Sequence, residues 1–170
     1  MKKRIFIFLF LLLASTSFAD RVKVQGIIKG DILQLEDGQS VRLIGINALE
    51  DLIFKNASRR YERTEATDFV KSLKLEGKEL RLEYDNKAED DFKRTYAYVY
   101  LKVCNGNCIN SAKEGEYFVE LDDGTYNFLN ATLLKSGYAE PIPVRPNTKY
   151  LKLFQELFVE ARNNNRGIWK

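Results

Sequence analysis

From Val22 to Ile46 apolar and polar residues alternate, and a glycine or an Asp-Gly pair interrupts them every few positions. A period of two with frequent breaks leaves no room for a helix. It demands short strands joined by tight turns. Val22 and Val24 alternate with polar neighbours, and Leu33 and Leu35 with Gln34 and Glu36. Asp37-Gly38 is a hairpin signal, after which Val41 to Ile46 runs back. Gly26, Gly30 and Gly45 fall where bulges or bends would curl the sheet.

The rest of the chain adds helices to this meander. Residues 52–60 have the composition of a loop. Ala66, Phe69, Val70 and Leu73 then recur at helical spacing, with Gly77 as the stop. "KELRLEYD" and "RTYAYVYLKV" return to the strand pattern. In "CNGNC" an Asn-Gly turn sits between Cys104 and Cys108, which suggests a Cys-tipped hairpin with "EYFVELDDG" as its returning strand. A short helix is predicted from about Asn130 to Gly137, and a last one from about Asn147, with Leu151, Phe154, Leu157, Phe158 and Ala161 on its buried face. Trp169 would plug the core. No repeat or second domain is evident. The fold class is α+β, mainly β: a five-stranded barrel of the OB type with three packed helices and an extra Cys-tipped hairpin.

Residues 1–19 follow a different logic. A basic start, MKKR, precedes the uncharged run IFIFLFLLLAS, and Ser17-Phe18-Ala19 places small residues where a signal peptidase reads. The run is short for a bilayer crossing, which needs about 20 residues. The expectation is an exported chain, secreted or periplasmic and free of the membrane after cleavage, with residues 20–170 as one domain. The leader carries Lys2, Lys3 and Arg4, three of the 27 basic residues, and no acid. The remaining 24 bases meet 24 acids. Attraction to a polyanion must therefore come from a local patch.

Histidine is absent. That removes serine–histidine hydrolases, histidine-based phosphodiesterases and His-ligated zinc. Two cysteines make no zinc site alone, and in an exported chain they pair as a disulfide. A redox motif would space them by two residues, whereas three separate Cys104 from Cys108. Chemistry is left to Asp, Glu, Arg, Lys and Tyr.

Cleaving a phosphodiester without histidine takes a carboxylate base, fixed cations for the charge on five-coordinate phosphorus, and room for a hard metal ion. Candidates lie in three places. Asp31 follows Gly30 at a bend. Arg42, Asn47 and Glu50 lie on and just after one strand. Arg94 starts another. Each alone has an ordinary explanation: a solvated strand arginine, a loop glutamate, an Asp in a turn. Only their combination points to chemistry.

"GDILQLEDGQSVRLIGINALE" resembles the opening of staphylococcal-nuclease-like proteins, the thermonuclease family. The likeness continues through "EATDFVKSL", "GKELRLEYD", "KRTYAYVY", "NATLLKSGYA", "RPNTKY" and the final "GIW", in order. The resemblance implies a calcium-dependent endonuclease acting on DNA and RNA. By it, Arg42, Glu50 and Arg94 fall on the catalytic positions. Glu50 would be the general base, Arg42 would grip the phosphate and Arg94 would stabilise the transition state. Asp31, Asn47 and the Ala48 carbonyl would hold calcium. Phe92 and Lys93 would contact substrate, single-stranded for preference, and the protein would act as a monomer without a stable protein partner.

The departures from the pattern bear on the metal first. Asn47 stands where the family has an aspartate, which lowers the expected calcium affinity. Lys29 stands where an acid is common, and Ile32 where a threonine is. Leu49 replaces a proline, which should loosen the loop before Glu50, and Lys93 replaces a glycine before Arg94. Ile142 and Val144 stand in place of two tyrosines, weakening base stacking. These changes keep a second reading open: a weakened or inactive OB module that binds nucleic acid or protein.

Overall fold

The computed structural model describes residues 18–49 and 65–170. The leader up to residue 17, Glu50 and the loop expected at residues 52–60 lie outside the described residues. Strand β1 (Phe18–Lys29) is long enough to serve two neighbours. Its first half pairs with β5 (Glu79–Glu83) and its second half with β2 (Ile32–Leu35). Register shifts between Val24 and Gly26 and between Ile27 and Lys29 supply the predicted curl. Cleavage after Ala19 would take only the first two residues of β1 and leave its pairing with β5 from Arg21 onward.

The barrel closes in five strands. β3 (Ser40–Leu43) pairs with β2 on one side. On the other it runs parallel to the start of β6 (Thr95–Cys104), with Val41 opposite Thr95 and Arg42 opposite Tyr96. β5 joins β6 back to β1. Period-two patterning decides which side chains enter: Val41, Leu43, Leu80, Leu82, Ala97 and Val99 are buried inside. Burying each such side chain stabilises by about 1.5–3 kcal/mol, which is why the alternation fixes the register.

β4 (Ile46–Ala48) leaves the barrel and pairs antiparallel with β9 (Ala139–Pro141). Helices α1 (Glu65–Ser72), α2 (Leu129–Lys135) and α3 (Leu151–Asn163) cover the barrel. Residues 129–134 of α2 are all buried, so its polar members need partners. Asn130 finds two: its Nδ2 donates to the Ile44 carbonyl at 2.9 Å and its Oδ1 accepts from the Val99 N–H at 3.0 Å. That amide ties the turn after β3 to β6.

Three predicted details change. Cys104 and Cys108 form a disulfide, as expected, but the strand returning along β6 is β8 (Gly124–Phe128). "EYFVELDDG" supplies β7 (Phe118–Leu121), which pairs with β8 on its outer side. The Asp122-Asp123-Gly124 turn makes this possible, since Gly124 lies against the Cys104 carbonyl at φ = +141°. The last helix begins at Leu151 rather than near Asn147, because the Asn147 side chain is spent on the Lys87 backbone, accepting at 2.6 Å and donating at 2.8 Å. Trp169 does not plug the core: half-buried, it stacks edge-on against Phe158 at the end of α3.

Candidate active site

Asp31 owes its position to Gly30. A Cβ on Gly30 would lie 3.0 Å from the Ala66 backbone and 3.1 Å from Ala48, so glycine lets the β1–β2 turn press between α1 and β4 without crowding either. The Asp31 side chain, 4 % exposed, thereby reaches β4 and accepts the Ala48 N–H at 2.8 Å. Its carboxylate also pairs with the Arg42 guanidinium. Its carbonyl accepts from the Leu43 N–H at 3.0 Å and from Arg42 Nη1 at 3.4 Å.

Arg42 sits between Val41 and Leu43, which both face the core, so strand alternation turns it to the outer surface of the barrel. Its partner across the parallel ladder is Tyr96, two residues after Arg94. Arg94 immediately precedes β6, so the two arginines sit on neighbouring segments where β3 and the start of β6 run together.

Arg94 is aimed by a turn. Asp90 Oδ1 accepts the N–H groups of Phe92 (2.8 Å) and Arg94 (3.0 Å), and its Oδ2 accepts Arg94 Nε at 2.5 Å. Burial of Asp90 works against its charge. The backbone N–H and guanidinium of Arg94, with the N–H of Phe92, outweigh that and hold the carboxyl below the usual carboxylate range. Lys93 completes the turn at φ = +62°, the left-handed conformation that glycine enters freely, so the turn is kept without the glycine. Phe92 is 79 % exposed, and the Arg94 guanidinium lies 5.0 Å from its ring centre.

The metal candidates lie on β4 or against it. Ala48 touches Asp31 through its N–H, and Asn47 donates from Nδ2 to Glu140 Oε1 at 3.1 Å. Carboxylate, amide and carbonyl oxygens are hard donors, the kind calcium takes in sixes to eights together with water. Among the described residues no three His, Cys, Asp or Glu gather as a cage. By type these oxygens fit calcium, but at a low charge count, with Asp31 as the one carboxylate among them and already paired with Arg42. Leu49 does not loosen the strand here. It is buried, and its N–H, which a proline would lack, donates to the Tyr138 carbonyl at 3.0 Å and extends the β4–β9 ribbon. Lys29 is exposed at the end of β1.

So the structure brings Asp31, Arg42 and Ala48 into contact, and sets Arg94, Phe92 and Lys93 on the adjoining strand start. Sequence reasoning missed two residues. Asp90 had a signal, an aspartate four residues before the arginine in a turn. Glu140 had none, since it meets Asn47 only through the β4–β9 pairing.

The family described as staphylococcal nuclease homologue matches residues 40–170. The thermonuclease of Staphylococcus hyicus is 31 % identical over 150 residues, spanning 86 % of this chain and 74 % of that protein. The thermonuclease of Staphylococcus intermedius is 30 % identical over 150 residues, with the same shares.

Proposed function

This chain belongs to the staphylococcal nuclease homologue family, and from that premise we propose that it is an exported endonuclease hydrolysing the phosphodiester bonds of DNA and RNA. The observation that carries the reading is the pair of arginines. Arg42 on β3 and Arg94 just before β6 sit on neighbouring segments of the barrel, and each is held by its own carboxylate, Asp31 and Asp90. Guanidinium groups fixed in advance suit a phosphate, whose oxygens their planar forks match.

In this reading Glu50 takes the proton from the attacking water. Arg42 holds the phosphate in place. Arg94 meets the negative charge that grows on the equatorial oxygens as phosphorus becomes five-coordinate. Phe92, already bare to solvent, stacks on an unpaired base, which favours single-stranded substrate, and Lys93 contributes charge along the backbone. Asp31, Asn47 and the Ala48 carbonyl would hold a calcium ion, which when bound supplies further positive charge beside the phosphate. The protein works as a monomer after export.

The test is digestion of single-stranded DNA by the chain from Asp20 onward. Cleavage is expected to need millimolar calcium and to stop with chelator. Glu50→Gln should lower kcat by about 10²–10⁴-fold, the usual worth of a positioned base. Wild-type protein that retains oligonucleotide in a salt-sensitive way but never cuts it would mark a binding module instead.

A further inference from the structure

The rim of the site has a charge problem that the catalytic residues do not solve. Among the described residues its buried carboxylates are Asp31, which Arg42 offsets, and Asp90, which Arg94 offsets. Asn47 brings none. Among the described residues of the rim, a dication would meet buried acids that are already paired with arginines.

Glu140 lies directly opposite Asn47 in the β4–β9 ribbon. Directly paired residues of antiparallel strands point to the same side, with Cβ atoms about 4.5–5.5 Å apart. Glu140 uses that proximity to accept the Asn47 Nδ2–H at 3.1 Å. Among the described residues it forms no ion pair. It is therefore a carboxylate with its charge uncompensated, one residue along the strand from the Ala48 N–H that holds Asp31.

Building on the calcium reading above, we propose that Glu140 is the positioning residue of the cation site, orienting the Asn47 amide and supplying the negative charge that Asn47 lacks. The orientation follows from amide geometry. With the NH₂ end of Asn47 engaged by Glu140, Oδ1 points away from β9, as an oxygen donor should. The charge follows from distance. A carboxylate bonded to a ligand residue acts on the cation through one intervening group, as outer partners of metal ligands do.

The pairing also explains why position 47 is an amide. An aspartate there would place two carboxylates side by side across the ladder, and like charges directly opposite are destabilising. Asn47 and Glu140 are thus a matched pair: the charge has moved one strand over, and the amide is what allows it to sit there.

The experiment is isothermal calorimetry of CaCl₂ into the metal-free protein, with apo thermal melts as a control on folding. Glu140→Gln is expected to raise the calcium Kd about tenfold, at the lower end of the effect of such outer partners, with the apo melt unchanged. Adding Asn47→Asp to Glu140→Gln should return the Kd to within a few-fold of wild type, because the charge is restored at the neighbouring position. Calcium binding by Glu140→Gln equal to wild type overturns the proposal and leaves the nuclease reading standing. A weakened Kd that Asn47→Asp does not recover also overturns it. A wild type that binds no calcium while still cutting DNA removes the calcium reading and this proposal together.

Discussion

Arg94→Ala is expected to lower kcat by about 10³–10⁵-fold, the range found when an arginine that meets transition-state charge in phosphoryl transfer is lost, and to lower the melting temperature as well, because the nearly buried Asp90 carboxylate loses its guanidinium partner. Asp90 keeps its backbone N–H donors from Phe92 and Arg94, so the turn should persist and kcat measured on the folded protein reads the loss of the guanidinium. KM should change little if the residue acts mainly on the charge that develops during reaction. Arg94→Lys should recover little, since an ammonium replaces a fork with a point charge. Asp90→Asn separates aim from charge. It keeps an acceptor for the turn N–H groups but loses the ion pair to Arg94 Nε. A drop of about tenfold in kcat is expected. The sign of its pH dependence follows from the direction of the shift. The Asp90 carboxyl is held low in the folded protein. Its contribution is thus complete above the ordinary carboxylate range near 3.9 and fades as pH falls through the lower folded value. Steady-state kinetics on single-stranded DNA check all three variants. Full activity in Arg94→Ala would remove the catalytic assignment.

The barrel was legible because a two-residue period fixes which face is buried, and burial fixes register. Val41, Leu43, Leu80 and Leu82 needed no tertiary information. Arg42 was legible for the same reason in reverse, as a cation where an apolar strand wants none. What stayed hidden depends on pairings between distant segments. β7 and β8 are equally strand-like, and only the close approach of Gly124 to the Cys104 carbonyl selects β8 as the neighbour of β6. Glu140 meets Asn47 across 93 positions, so no spacing rule could join them. The start of α3 was misplaced because an asparagine that looks like a helix cap is bonded to a loop 60 residues away. Leu49 looked like a loss, since proline rigidity was gone, yet the N–H that came with leucine fastens the strand.

Glu83→Ala should destabilise the fold by about 2–5 kcal/mol, the cost of leaving two buried hydroxyls without their acceptor. Glu83 is only 3 % exposed on β5. Its Oε2 accepts the hydroxyls of Tyr100 (2.7 Å) and Tyr150 (3.0 Å), and its Oε1 pairs with the Lys149 ammonium. These contacts link the barrel to the start of α3, where the rings of Tyr98, Phe128, Tyr150 and Phe154 pack together. Lys149, with its side chain 42 % exposed, can return to water when Glu83 is lost. The two tyrosine hydroxyls cannot do so without opening the cluster, so they carry most of the penalty. For a domain of this size the expected fall in melting temperature is on the order of 10 °C. Alkaline pH probes the same cluster from the other side. Burial, then hydrogen bonding to Tyr150 and Glu83, pushes the Tyr100 hydroxyl well above its ordinary value, and burial beside Asp85 does the same to Tyr98. Burial works against the charge of Lys149, but Glu83 and Tyr150 leave its ammonium raised. In each case the unfolded chain releases its proton first. Stability should hold up to about pH 10, where free tyrosine and lysine titrate, and fall as pH climbs beyond it. Tyr100→Phe should flatten that alkaline decline while lowering stability at neutral pH by about 1 kcal/mol for its lost hydrogen bonds. Urea melts at pH 7 and pH 10.5 measure both. A decline equally steep in Tyr100→Phe would place the alkaline sensitivity elsewhere in the chain.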